Sequence, residues 1–273
     1  MTKYNMQLKP DAVAREVIHG REQPPAVRTS LEQATAHALS VPFPITGDAS
    51  TFFAVADDLD GEWEWAVFRN NAPDTSESAT MRALLRKVRA AREYDEQSSF
   101  DNNWLTGFDL RKKSGEWPDT SIHAFAADDG YATLSVRDRF VLCSTDNMSA
   151  GVCTATLSLT THLDGDPLDA ELEIGTVFLD PECRGMGLSY LLAEAAASSM
   201  VSMLGELHRR LVSRGLTEVC NVELTVTGEC ISPGGERFLE TTAYQFEQQW
   251  YAFLCGASEQ VMVNITEIAV LDE

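Results

Sequence analysis

Residues 175–192 read GTVFLDPECRGMGLSYLL. The opening residues are strand formers, Pro181 cannot donate to a sheet ladder, and Gly185 and Gly187 stand just ahead of a run of helix formers. The stretch predicts a strand, a glycine-bearing turn and a long helix, in that order. Glycine lets backbone approach a ligand closely, the first N–H groups of a helix lack intrahelical acceptors, and the helix dipole attracts an anion to them. A pyrophosphate suits such a turn. Neither the GxxxxGK[ST] phosphate loop nor a completed GxGxxG fingerprint is present.

Working outward, residues 152–162 alternate Cys153, Ala155, Leu157 and Leu159 with threonines and a serine, the pattern of a half-buried strand. The turn Asp164-Gly165-Asp166-Pro167 separates it from a second strand over 170–179, so the two form an antiparallel hairpin. Further strands are expected at 122–126, 131–136 and 140–144. After the turn follow a helix over about 187–213, a strand at 219–226, a helix at about 236–254 and a strand at 261–270. The fold class is therefore α/β (α+β), a mixed, largely antiparallel sheet flanked by helices, with an N-terminal extension or domain.

The N-terminal region reads as helices plus a hairpin of unknown fold. Helical stretches are expected around 12–19 and 30–39. A hairpin spans 51–68, turning at Asp57-Asp58-Leu59-Asp60-Gly61. An amphipathic helix over 78–94 sets Met81, Leu84, Leu85 and Val88 among Arg82, Arg86, Lys87, Arg89 and Arg92. Residues 95–118 are polar and turn-rich, which places a boundary there and divides the chain into 1–119 and 120–273.

The 273 residues carry 42 acidic against 21 basic side chains, a formal net charge of −21, which disfavours direct nucleic-acid binding through a phosphate backbone. An acidic surface leaves open a basic protein partner and a homodimer. No apolar run reaches membrane-spanning length and the start has no apolar signal core, so no membrane partner and a cytoplasmic address are expected. The cysteines (Cys143, Cys153, Cys183, Cys220, Cys230, Cys255) form no CxxC pattern and no compact group with the five histidines, so no metal site is expected. The histidines make no nucleophile motif with Ser or Cys.

Residues 175–192 resemble motif A of the GNAT (GCN5-related) N-acyltransferases, in which an apolar strand and a proline precede [QR]-x-x-G-x-[GA]. Arg184 takes the first position, Gly187 the glycine, and Ser189 the last, where it departs from the pattern. The resemblance implies a GNAT-like acyltransferase domain over 120–273 and acyl-CoA-dependent N-acyl transfer, with acetyl-CoA or another acyl-CoA as co-substrate and an amine acceptor on a small molecule or protein. It implies that the strand backbone at Val177, Phe178 and Leu179 pairs with the pantetheine amides. It also implies that Arg184, Gly185, Met186, Gly187, Leu188 and Ser189 hold the pyrophosphate. A carboxylate of that strand would be the base, Glu173 or its same-face neighbour Glu171, and Tyr244, with Tyr251 two turns on, would protonate the thiolate. The other reading is a non-catalytic acidic interaction or inhibitor protein, with nucleic-acid mimicry among its variants, on an α/β scaffold.

Overall fold

The computed structural model describes residues 25–40, 52–57, 63–69, 86, 119–124, 131–144, 148–162, 166–216, 218–230, 233–256 and 261–272. In chain order these form α1 (Pro25–Leu39), β1 (Phe52–Asp57), β2 (Trp63–Arg69), β3 (Asp119–Ala124), β4 (Tyr131–Ser144), β5 (Ser149–His162), β6 (Leu168–Leu179), α2 (Ser189–Ser213), β7 (Cys220–Gly228), α3 (Pro233–Gly256) and β8 (Val263–Asp272). The helices expected at 12–19 and 78–94 lie outside the described residues, apart from Arg86, which is helical.

The strands make one mixed sheet in the order β1-β2-β4-β5-β6-β7-β8, with β3 also paired to β4. Pairing is antiparallel from β1 to β6 and parallel from β6 to β8. Each parallel step is spanned by a helix, α2 and then α3, as parallel neighbours require. The sheet crosses residue 119, because β2 pairs with the second half of β4 and β3 with the first half. α1 is fastened to the same body, with Arg210 Nη1 donating to the Ala38 carbonyl at 2.6 Å.

Strands expected at 131–136 and 140–144 are one. Asp138 breaks the apolar pattern but is fully buried against Arg69 of β2 at 2.5 Å, and β5 pairs with β4 without interruption there. An ion pair thus replaces an apolar contact and lets the strand continue.

One face of the sheet carries the main core. Leu134, Val136, Phe140 and Leu142 of β4, Cys153 to Leu159 at alternate positions of β5, and Leu168 to Ile174 at alternate positions of β6 pack there against α1, α2 and α3. α2 is alanine-rich and buried on most of its circumference, and Gly205 brings it within touching distance of the Phe253 ring of α3. The opposite face holds a second cluster, in which Val141, Cys143 and Val152 pack with Phe68 and Phe178.

Candidate active site

Two irregularities in β6 build the site. The first is a bulge. Thr154 of β5 opposes Thr176 and Ala155 opposes Ile174, so Gly175 is an extra residue. The insertion reverses the facing of the strand end: Val177 and Leu179 pack on the main core, and Phe178 joins the opposite cluster. The second is a difference in length, since β7 ends at Gly228, seated against the Ile174 carbonyl. The parallel ladder with β7 stops at Glu173 and Thr227, while β6 continues for six residues beside β5 alone.

Beyond the end of β7 that edge of β6 has no strand partner among the described residues, though the Leu179 carbonyl accepts from Arg184 Nε. The Asp180 N–H donates to the Ala150 carbonyl at 2.8 Å, which fixes the alternation of the antiparallel ladder. The N–H and C=O of Phe178 therefore belong to β5, while those of Val177 and Leu179 point to the side on which β7 has ended. Of the three residues expected to pair with pantetheine, Val177 and Leu179 have the backbone direction for it, and Phe178 contributes a ring instead.

The turn follows at once. Asp180 is buried and its Oδ1 accepts the Glu182 N–H, capping a single 3₁₀ turn over Pro181–Cys183. Arg184 folds back, its Nε donating to the Leu179 carbonyl at 3.1 Å and its guanidinium lying 5.8 Å over the Phe178 ring. Gly185 and Gly187 both have positive φ, 80° and 76°, and a Cβ on either would meet nothing within 4 Å. Conformation, with open space above it, is what requires glycine there. Leu188 is buried and anchors the turn, while Met186 and Ser189 are exposed. The N–H groups of Gly185 through Ser189 have no acceptor among the described residues, and no side chain caps α2.

Glu173 and Glu171 lie on the sheet face opposite the helices. Glu173 is half-buried, in register with Thr156 of β5 and Thr227 of β7, and Glu171 is exposed and accepts from the Thr227 hydroxyl at 3.4 Å. Tyr244 is elsewhere. The core-facing residues of α3 include Phe238, Leu239, Thr242, Ala243, Phe246 and Trp250. Tyr244, two positions from Phe246, is about 160° round the helix, and it is half-exposed. The structure therefore does not bring Glu173 and Tyr244 together, because a tyrosine in that position of the helix turns outward from the sheet. Tyr251 lies on the same outer side, and hydrogen bonding to Cys255 raises its pKa.

No protein-family model matches the chain, and no curated protein matches it. Among solved structures it is similar to an aminoglycoside acetyltransferase from an uncultured soil metagenomic sample, determined with trehalose and with sisomicin. That protein is 14% identical, the match covers 72% of this chain and 91% of that one, and the TM-scores are 0.24 and 0.23. It is also similar to the xEco2 acetyltransferase domain bound to a CoA conjugate, 8% identical, covering 78% of this chain and 95% of that one with a TM-score of 0.26. All these neighbours are acetyltransferases.

The sequence did not single out Thr154 and Thr156, whose hydroxyls are buried and have no hydrogen-bond partner among the described residues. Threonine in an alternating strand reads as an outward position, and only the three-dimensional cover over β5 reveals otherwise. Gly228 was also missed. Its lone clue was a glycine closing a strand. Cys230, just after β7, is a protonated thiol at neutral pH, pushed up to about 12 by burial and then by Asp272 and Glu236.

Proposed function

We propose that the chain is an acyl-CoA-dependent N-acyltransferase, transferring an acetyl or related acyl group to an amine. The observation that carries this is the run of N–H groups from Gly185 to Ser189, without acceptors among the described residues, at the start of a 25-residue helix and adjoining the strand edge of Val177 and Leu179 beyond the end of β7. An extended amide chain ending in a diphosphate matches that sequence of donors and acceptors. Val177 and Leu179 would take the pantetheine amides, and the turn with Arg184 the pyrophosphate. The bound thioester supplies the activated acyl group.

Glu173 sits at the last paired position of β6 and β7 and is the base. It takes the proton from the amine as nitrogen bonds to the acyl carbon, and the carbon–sulfur bond breaks to release thiolate, which is then protonated. Because Tyr244 faces outward, solvent beside the strand edge is the expected source of that last proton. Isothermal titration with acetyl-CoA and CoA tests the reading: micromolar binding supports it, and no binding at millimolar ligand removes it.

A second reading, a non-catalytic protein docking on a basic partner, is favoured by one row of side chains. Glu223 and Glu267 are exposed and in register across β7 and β8. Like charges directly opposite one another disfavour the sheet unless a cation offsets them. The same titration separates the two readings.

A further inference from the structure

The side of α3 turned away from the sheet carries Arg237, Glu240, Tyr244, Gln248, Tyr251 and Cys255, all exposed. At about 100° per residue they lie within about 40° of Tyr244, which makes them a single stripe. Tyr244 is 51% exposed and Tyr251 68%. Two tyrosine rings bared on one stripe suit an interface, where such rings bury apolar area and keep a polar tip. The stripe is also balanced in charge, with one arginine and one glutamate and half-buried Glu247 at its margin, in a chain whose net charge is −21.

The spacing of these side chains reads the same in both directions. From Arg237 to Glu240 is three residues, to Tyr244 four, to Gln248 four, and to Tyr251 three. Two copies of α3 laid antiparallel about a twofold axis at Tyr244 therefore set Arg237 opposite the partner's Tyr251 and Glu240 opposite the partner's Gln248, with the two Tyr244 rings meeting at the centre. Each match is favourable: a guanidinium against an aromatic face, an amide N–H donating to a carboxylate, and one ring offset on another. The two outer matches each occur twice.

We propose that this stripe is a homodimer interface, closed by antiparallel α3 helices around Tyr244. A second copy fits it better than a basic partner, because a stripe with one charge of each sign has no excess negative charge to draw one. The net charge of each copy opposes association, and a balanced stripe opposes it least. From Arg237 to Tyr251 the contact runs about 21 Å along the helix. A single pair of helices of that length makes a small interface, so the dimer is a reversible one of micromolar affinity. It uses no group of the turn at 185–189 and forms whichever of the two functional readings holds.

Sedimentation equilibrium of the full-length protein tests this. Between about 1 and 300 µM a monomer–dimer equilibrium is expected, tighter in about 500 mM than in about 50 mM sodium chloride because salt screens the net charge. Tyr244→Ser should weaken the dimer about tenfold or more by removing its central ring, with circular dichroism unchanged. Gln248 reads the register. Gln248→Lys, opposite Glu240, should tighten the dimer about fivefold and Gln248→Glu should loosen it by a similar factor. Met148, 64% exposed and between β4 and β5, is the control for charge alone. Met148→Lys and Met148→Glu should each change the constant less than about twofold. A monomer throughout the range would overturn the proposal and leave the face to another segment of the chain or to a different protein. A dimer that responds alike to charge at Gln248 and at Met148 would also overturn it, since the contact would then lie elsewhere.

Discussion

A methyl group on Gly228 would lie 2.9 Å from the carbonyl oxygen of Ile174 and 3.2 Å from Leu239 Cδ2. The end of β7 is thus seated directly against the β6 main chain, one residue beyond the last paired position of the two strands, Glu173 with Thr227. A backbone oxygen cannot rotate aside as a side chain can. Gly228→Ala should therefore cost about 1–3 kcal/mol and disturb the seating of β7 on β6 beside Glu173. Urea unfolding reads the first effect and acetyl-CoA titration the second. An unchanged midpoint with unchanged affinity would mean that β6 and β7 yield freely there.

The two turn glycines allow a sharper test, because nothing packs above them. Gly187→Ala keeps the space but imposes a left-handed conformation costing about 1 kcal/mol, so acetyl-CoA affinity should fall modestly. Gly187→Asp adds a negative charge where a diphosphate is proposed to lie, and binding should become undetectable while circular dichroism stays native. Equal affinity in wild type and Gly187→Asp would show that the ligand, if one binds, is held elsewhere.

Glu173→Gln preserves shape and removes the base. Turnover should fall about a hundredfold with acetyl-CoA affinity nearly unchanged, and the deficit should shrink as pH rises and more acceptor amine is already neutral. Tyr244→Phe, on the outer side of α3, should leave turnover within about twofold. A large loss in Tyr244→Phe with normal stability would mean that this tyrosine reaches the reacting sulfur by a movement of α3.

The order of elements from β5 to β8 was legible because alternation marks β5 and proline and glycine punctuate the turn that follows β6. The turn itself was legible for the same reason, since positive φ leaves its mark as glycine at 185 and 187. What was not legible depends on contacts between distant segments. Asp138 read as a strand break because its partner, Arg69, lies 69 residues away. Tyr244 read as a site residue from its order in the chain, but order does not give rotation about a helix. Thr154 and Thr156 read as solvent-facing, since burial by other segments has no local signature.

The same distance effect bears on residues 120–273 as a fragment. Leu39, Ala66 and Val67 are 0% exposed and Ala38 1%, and all lie before residue 119. Leu39 and Val67 each contribute about 1.5–3 kcal/mol when fully buried, against a total stability of about 5–15 kcal/mol. Removing them also bares the β4 edge from Phe140 to Ser144. The fragment should be soluble only as a loosely packed or associated species, with poor dispersion in its amide NMR spectrum. A well-dispersed, cooperatively unfolding fragment would show that α1, β1 and β2 are accessory to the core.

Alkaline pH should destabilise the native state through its enclosed thiols. Burial pushes Cys220 up to about 11, a nearby hydrogen bond from Thr35 only partly opposing it, and pushes Cys230 up to about 12; Cys153 is raised further still by burial alone. An unfolded thiol ionises near pH 9. Below that pH both states keep the proton and these groups are neutral toward stability. Between pH 9 and the native values the unfolded chain loses protons that the native chain retains, so the unfolded state gains and stability falls as pH rises. The melting temperature should be level from pH 7 to 8.5 and decline from 9 to 11, and Cys220→Ala with Cys230→Ala should flatten the decline relative to wild type. At pH 7.5 an aromatic disulfide reagent should label exposed Cys255 first. Cys153 and Cys220 should react only on unfolding, and early labelling of either would show that the β5 and β7 core opens more readily than its packing indicates.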